Sequence, residues 1–254
     1  MGWKAEYLDA VLVPSGLLIM FFYHLHLLHK HKVDERKHKV DEHSQDSEST
    51  TTAMAHDNHY RRRWVVDTLK ADVKDRGPAV QVINGNITAA FSLSTISLVV
   101  SSLIGTWFGT SNSTVTSTLI YGDTRKSVIA FKNISLLICF LVAFASFLQS
   151  ARCYIHSSFL ITMSKDAAVP IRHVKDAVEY GSNCWSVGMR ALYFAITLLL
   201  WVFGPIPMFV SSAVMVLVLR KLDWYKPPKK TVPKKTHEIK QHAITCDSTG
   251  ELKQ

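Results

Sequence analysis

Two constellations in the sequence have residue types and spacings that could do chemistry. The first is Gly204-Pro205-Ile206-Pro207, set within an apolar run. Pro205 and Pro207 lack the N–H groups that would bond the carbonyls of Trp201 and Phe203, and each ring crowds the preceding turn, so a helix kinks or breaks here. Carbonyls freed at membrane depth need cover from protein or a water-lined cavity, and transporters use such broken helices as ion sites. The second constellation is Gln149, Arg152 and His156, spaced three and four residues apart and therefore on one side of a helix. It suits an anionic ligand or a gating contact. Each feature also has a plainer role that the residues favour: a proline kink that only packs, and a helix-end anchor on lipid phosphate.

Histidine supplies a third, weaker candidate. Eight of the twelve histidines fall between His24 and His59, and neutral imidazoles ligate transition metals. His24, His26, His29 and His31 are the candidate metal ligands. A local duplication accounts for part of this enrichment, however, and no intramembrane carboxylate or histidine pair stands ready to pass a metal on. A haem held between His24 and His156 is conceivable, but interfacial histidines more commonly bond a carbonyl or a headgroup, so no cofactor is assigned. No Ser-His-Asp or Cys-His arrangement, intramembrane carboxylate pair or Gly-rich phosphate loop is present, and an enzyme is not expected.

The elements that must position these residues are apolar blocks. Residues 191–219 carry no charge over 29 positions, about 43 Å as one helix against a hydrocarbon core of about 30 Å. Such clustering predicts an all-α, polytopic membrane protein rather than a soluble domain. The spans are expected at about 10–28, 87–108, 128–149 and 191–219, four in all, the last kinked or folded into a hairpin at the prolines. The segment before His29 reads as an uncleaved anchor, and Glu6 stands where a myristoylation signal requires Ser or Thr. The second span is rich in Ser92, Ser94, Thr95, Ser97, Ser101 and Ser102, small residues that let helices approach closely in lipid. The third helix is expected to run on from Ser127 to Met163, longer than a bilayer needs, with Lys132 in its spanning part snorkelling outward.

Between the spans the sequence turns polar. Lys30 to Arg36 is repeated almost unchanged as Lys37 to His43; one valine per seven residues cannot form a coiled-coil seam, so 29–59 is expected to be disordered. Over 60–78, Val65, Val66, Leu69 and Val73 share a side of a helix that also carries Arg61, Arg62, Arg63 and Lys70. This predicts an amphipathic helix lying in the membrane interface and ending at Gly77-Pro78. A second amphipathic segment, with Ile171, Val174 and Val178 on one face, is expected to stop at Gly181. The tail, 224–254, is too polar to pack. Cys139, Cys153, Cys184 and Cys246 have no metal-type spacing, and the sequon at Asn112 lies close to a span end.

With 29 Lys+Arg against 20 Asp+Glu the net charge is +9, and the excess flanks the apolar blocks. It faces anionic lipid headgroups on the cytoplasmic side without any need for a nucleic-acid partner. Four simple spans, starting outside, put the Lys-rich tail outside as well, against the positive-inside rule. A hairpin at the prolines would bring the tail back, but the arm 191–203 is only about 20 Å long as helix. The arm length favours a single kinked span.

Several stretches are similar to a known family. They are Tyr7-Leu-Asp9, Phe22-Tyr-His-Leu25, Arg63-Trp-Val65, Ala79-Val-Gln81, Gln149-Ser-Ala-Arg-Cys-Tyr-Ile-His156, Gly181-Ser-Asn-Cys-Trp-Ser186 and Leu200-Trp-Val-Phe-Gly-Pro-Ile-Pro-Met-Phe209. Together they resemble the DUF599 family of plant-type, multi-span membrane proteins. Two departures stand out: Asn84-Gly85 where an Arg-Asn pair is expected, and the duplicated His-rich segment. The resemblance implies a membrane protein of about four spans and carries no activity to transfer. The leading expectation is transport or channel-like activity. The alternative is a membrane scaffold or signalling adaptor, with protein partners unnamed, a homo-oligomer open, and plasma membrane and endomembrane both compatible.

Overall fold

The computed structural model describes residues 5–40, 52–110, 125–163 and 170–223. Among these residues the chain is helical, with no strand. The helices are α1 (Ala5–Val40), α2 (Ala53–Lys70), α3 (Gly77–Thr110), α4 (Lys126–Thr162), α5 (Ile171–Phe203) and α6 (Pro205–Asp223), with a short 3-10 turn at Val73–Arg76. Five of them, all but α2, are long and apolar enough to cross a membrane. The expected count of four becomes five because the last apolar run is two helices, not one.

Those two helices double back on each other. Arg190 and Asp223 are 33 residues apart, about 50 Å along a continuous helix, yet Arg190 Nη2 stands 3.8 Å from Asp223 Oδ1. The proline pair therefore makes a hairpin turn, and the single kinked span that the arm length favoured is corrected. Gly204, with φ 149° and ψ 171°, adopts a backbone conformation that a Cβ would strain. Proline fixes φ near the helical value and needs no N–H in a first turn, so the pair that stops α5 also starts α6.

Helix α1 lies beside α6 and runs in the same direction. Asp9 meets Trp201 just before the turn, Gly16 lies against Ser212, and Tyr23 reaches Asp223 at the far end. Helices α3, α4 and α5 pack antiparallel in sequence. Ser94 Oγ donates to the carbonyl of Phe144 (3.3 Å), and Ser150 Oγ donates to that of Gly181 (2.7 Å). The expected third helix, 127–163, is observed almost residue for residue as α4. Along α3 the hydroxyls of Ser92, Thr95, Ser97 and Ser102 donate to carbonyls of their own helix. Ser92, Thr95 and Ser102 lie on the exposed side, whereas the buried side carries the small residues Ser94, Ser97 and Ser101, which permits close packing.

Apolar side chains gather in two cores. The first, near the turn, contains Val13, Ile104, Leu136, Ala195, Leu198, Trp201 and Met208. The second, toward the opposite end, contains Val65, Ile83, Tyr154, Ile161, Val174 and Val178. Val65 of α2 is fully buried there, so the apolar face expected to lie in lipid is spent on protein. Of its cations, Arg61 bonds Asp57 (2.8 Å) and Arg62 bonds Glu179 of α5, whereas Lys70, paired with Asp67 (3.4 Å), and Arg63 are exposed. The membrane-interface helix expected at 60–78 is therefore a docked helix, 53–70.

Three boundaries move for physical reasons. Gly77-Pro78 opens α3 instead of closing the preceding helix, because proline is accommodated in a first turn. Gly181 does not end a helix but lies inside α5, since a Cβ there would stand 3.2 Å from the Tyr154 ring; the glycine permits that contact. Helix α1 continues to Val40, into the stretch expected to be disordered over 29–59, and α2 begins within it at Ala53. The Lys, Glu and Arg of the duplication are good helix formers, and extending an existing helix needs no new nucleus. The expectations for 41–51, the sequon at Asn112 and the tail 224–254 lie outside the described residues.

Candidate functional site

The turn at Gly204 is capped rather than open. The Gly204 N–H donates to Trp201 O (3.2 Å), and the Met208 N–H donates back to Gly204 O (3.4 Å). Gly204 and Pro205 are buried and Pro207 is exposed. Val13, Leu198, Trp201 and Met208 of the first core surround this end, and Phe131 meets Trp201 edge-on at 6.1 Å between centroids.

Charges nevertheless converge on Trp201. Its indole N–H donates to Asp9 Oδ1 at 3.2 Å, a buried bond, while Lys132 Nζ lies 5.1 Å from the ring centroid. Indole offers a donor at its edge and negative potential on its face, so one side chain holds an anion and a cation together. Asp9 and Lys132 are both more than 90% buried, at 8% and 5% exposure. The outward snorkel expected of Lys132 is corrected: the chain folds inward because the Trp201 face receives it. Ionisable groups inside membrane helices are costly and mark functional sites. Sequence reasoning missed this pair, although a lone cation one turn into an apolar helix was a usable signal.

At the other end of the hairpin, Asp223 receives a hydrogen bond from Tyr23 Oη (2.9 Å) and faces Arg190. Tyr23 and His24 are ring neighbours, and the His24 ring lies 4.9 Å from that of Phe194. His24 Nδ1 is 2.8 Å from Met20 O. Below this level α2 is clamped to α5 through Arg62 and Glu179 and through Asn58 Nδ2 donating to Asn183 Oδ1 (3.1 Å). The 3-10 turn contributes Arg76, whose guanidinium donates to the carbonyls of Leu69, Ala71, Ile161 and Met163 at 2.9 to 3.3 Å. One cation thus closes the C-terminal ends of α2 and α4, where unpaired carbonyls carry partial negative charge.

The residues singled out in the sequence are not one site. Gln149 is half-buried, its amide 3.8 Å from Cys153 Sγ, and Arg152 and His156 are exposed on α4. The neighbouring Phe147 packs on Gly188, sixteen residues before Gly204, which separates the patch from the turn by about 24 Å of helix. His24 and His31 are buried on α1, whereas His26 and His29 are exposed. Among the described residues no three His, Cys, Asp or Glu side chains converge to hold a metal. His24 stacks on α5 and His156 faces outward from α4, so the two are not paired across a haem-sized gap.

A family profile described as a protein of unknown function, DUF599, matches residues 11–228. The chain belongs to the DUF599 family. No curated protein and no solved structure matches it. Family membership and five apolar helices together make this DUF599 chain a multi-pass membrane protein. The stretches that carried the resemblance acquire physical roles: in this DUF599 protein Leu200 to Phe209 is the hairpin turn, and Gly181 to Ser186 is the part of α5 that receives α2 and Tyr154.

Proposed function

We propose that the protein is a non-enzymatic membrane scaffold or signalling adaptor whose working surface is the platform built from α2 and the first half of α5. The observation that carries this reading is α2 itself, a helix too charged to span that is held on α5 by Val65, by Arg62 on Glu179 and by Asn58 on Asn183. Proximity labelling from a tag at Gln254 is expected to recover a stable protein partner, with recovery lost on Arg62→Glu, which reverses the charge facing Glu179. Labelling that returns only bulk membrane proteins for both forms sinks the idea.

The topology that goes with it has five crossings, since α6 runs beside α1 from the Trp201 level to Asp223, and the hairpin α5–α6 enters from and returns to the basic side. The platform, Arg190, Arg220, Lys221 and the tail then share the cytoplasmic face and meet its anionic headgroups, and the N-terminus lies outside, in agreement with the positive-inside rule. A reporter fused at Gln254 tests this: protection from external protease is the expected result.

Transport is the second reading, favoured by the buried charges of Asp9 and Lys132 around Trp201. It requires liposome flux that Asp9→Asn abolishes; vesicles that stay tight with both forms exclude it.

A further inference from the structure

The hydrogen-bonding capacity of Arg190 is not used up. Its side chain is 19% exposed, and Nη1 is buried with no acceptor. Nη2 faces Asp223 at 3.8 Å, beyond hydrogen-bond reach, and the other carboxylate oxygen of Asp223 already accepts from Tyr23. Close by on α1, between Tyr23 and Phe194, His24 Nε2 is likewise buried without a partner. A charged N–H left dry and unbonded costs more than a neutral one, so the arrangement is incomplete without an acceptor.

What surrounds Arg190 specifies that acceptor. The guanidinium lines a cleft of about 10 Å³, room for one oxygen, between α1, the start of α2 and the end of α6, bounded by Leu27, Leu28, His31, Thr52, Met54 and Asp223. One wall is apolar, and Leu28 is 49% exposed at its rim. Arg220 and Lys221, exposed in the last turn of α6, leave this helix end net positive despite Asp223. The group that suits a guanidinium fork, an apolar rim and net positive charge at the end of apolar helices is a phosphate oxyanion carried at the membrane surface. We propose that this cleft takes one oxygen of a phosphate on Arg190, with an anionic phospholipid as the ligand, the rest of its phosphate at the mouth and its glycerol end against the exposed Leu28. The site is independent of the scaffold reading, since an adaptor and a transporter could each use it.

The test uses the purified full chain in mixed micelles, read by native mass spectrometry and by thermal shift. Dioleoyl phosphatidic acid is expected to give bound adducts and to raise Tm, with dioleoyl phosphatidylcholine at equal concentration giving neither. Inorganic phosphate alone reproducing the shift would keep the oxyanion site but make its source a soluble phosphate. Arg190→Gln is expected to weaken phosphatidic acid binding about tenfold, the size of one charge-assisted hydrogen bond. Because that change also strips Asp223 of its cation, Asp223→Asn is the second variant. It removes the competing carboxylate and is expected to tighten binding. Undiminished adducts in Arg190→Gln, equal binding of the zwitterionic lipid, or weaker binding in a folded Asp223→Asn protein each overturn the proposal.

Discussion

The two cores bury side chains of similar size by different physics. The first lies among α1, α3, α4, α5 and α6 near the hairpin turn. There the alternative to a helix neighbour is lipid, which is as apolar as leucine, so cohesion rests on shape and on polar bonds such as Trp201 to Asp9. The second core is closed over by α2, a helix with too many charges for lipid. On the topology proposed above its alternative is water, so each buried methylene would contribute about 0.8 kcal/mol of transfer energy that the first core lacks. Similar packing therefore contributes more to stability at the platform than at the turn.

The largest effect expected from breaking this contrast is at Arg76. Removing its guanidinium in Arg76→Ala orphans four carbonyls and should cost about 3 kcal/mol, seen as a lower unfolding midpoint and as fast hydrogen exchange confined to α2. Next comes Gly204→Ala, which forces a Cβ into a backbone conformation with φ 149° and should cost about 2 kcal/mol; hydrogen exchange should rise in α6 and leave α2 unchanged. Truncating one valine in each core measures the contrast directly. Val65→Ala should cost about 2 kcal/mol, transfer plus cavity, and Val13→Ala about 1 kcal/mol, since lipid gives back the transfer term. Equal losses in detergent-based unfolding would remove the distinction. The smallest effect should come from Lys70→Gln on the exposed side of α2. Its partner Asp67 is exposed as well, and a change beyond about 0.5 kcal/mol would mean that the outer face does more than solvate.

What the sequence made legible was whatever depends on local composition. The apolar blocks, the extent of α4 and the break at the prolines follow from runs and from proline stereochemistry, without knowledge of neighbours. Direction after the break was not legible. The pairing of Arg190 with Asp223 spans 33 positions, and arm length alone favoured the wrong alternative. The docking of α2 was hidden for a related reason: a valine stripe beside arginines reads the same whether its cover is lipid or another helix. Gly181 misled because glycine serves both as a helix stop and as a site of close approach, and only Tyr154 on α4 decides between them. At the candidate site the histidines and the Gln149 patch drew notice through residue type. Asp9 and Lys132 gained their meaning from Trp201, 192 and 69 positions away.

Helices α3, α4 and α5 run unbroken from one core into the other, whereas α2 contributes side chains only to the second core and α1 and α6 only to the first. A stiff rod has no give along its length. Glu179, which holds α2, and Trp201, which holds Asp9 and Lys132, stand on one such rod, 22 residues or about 33 Å apart, so a tilt imposed on α2 is expected to register at the turn.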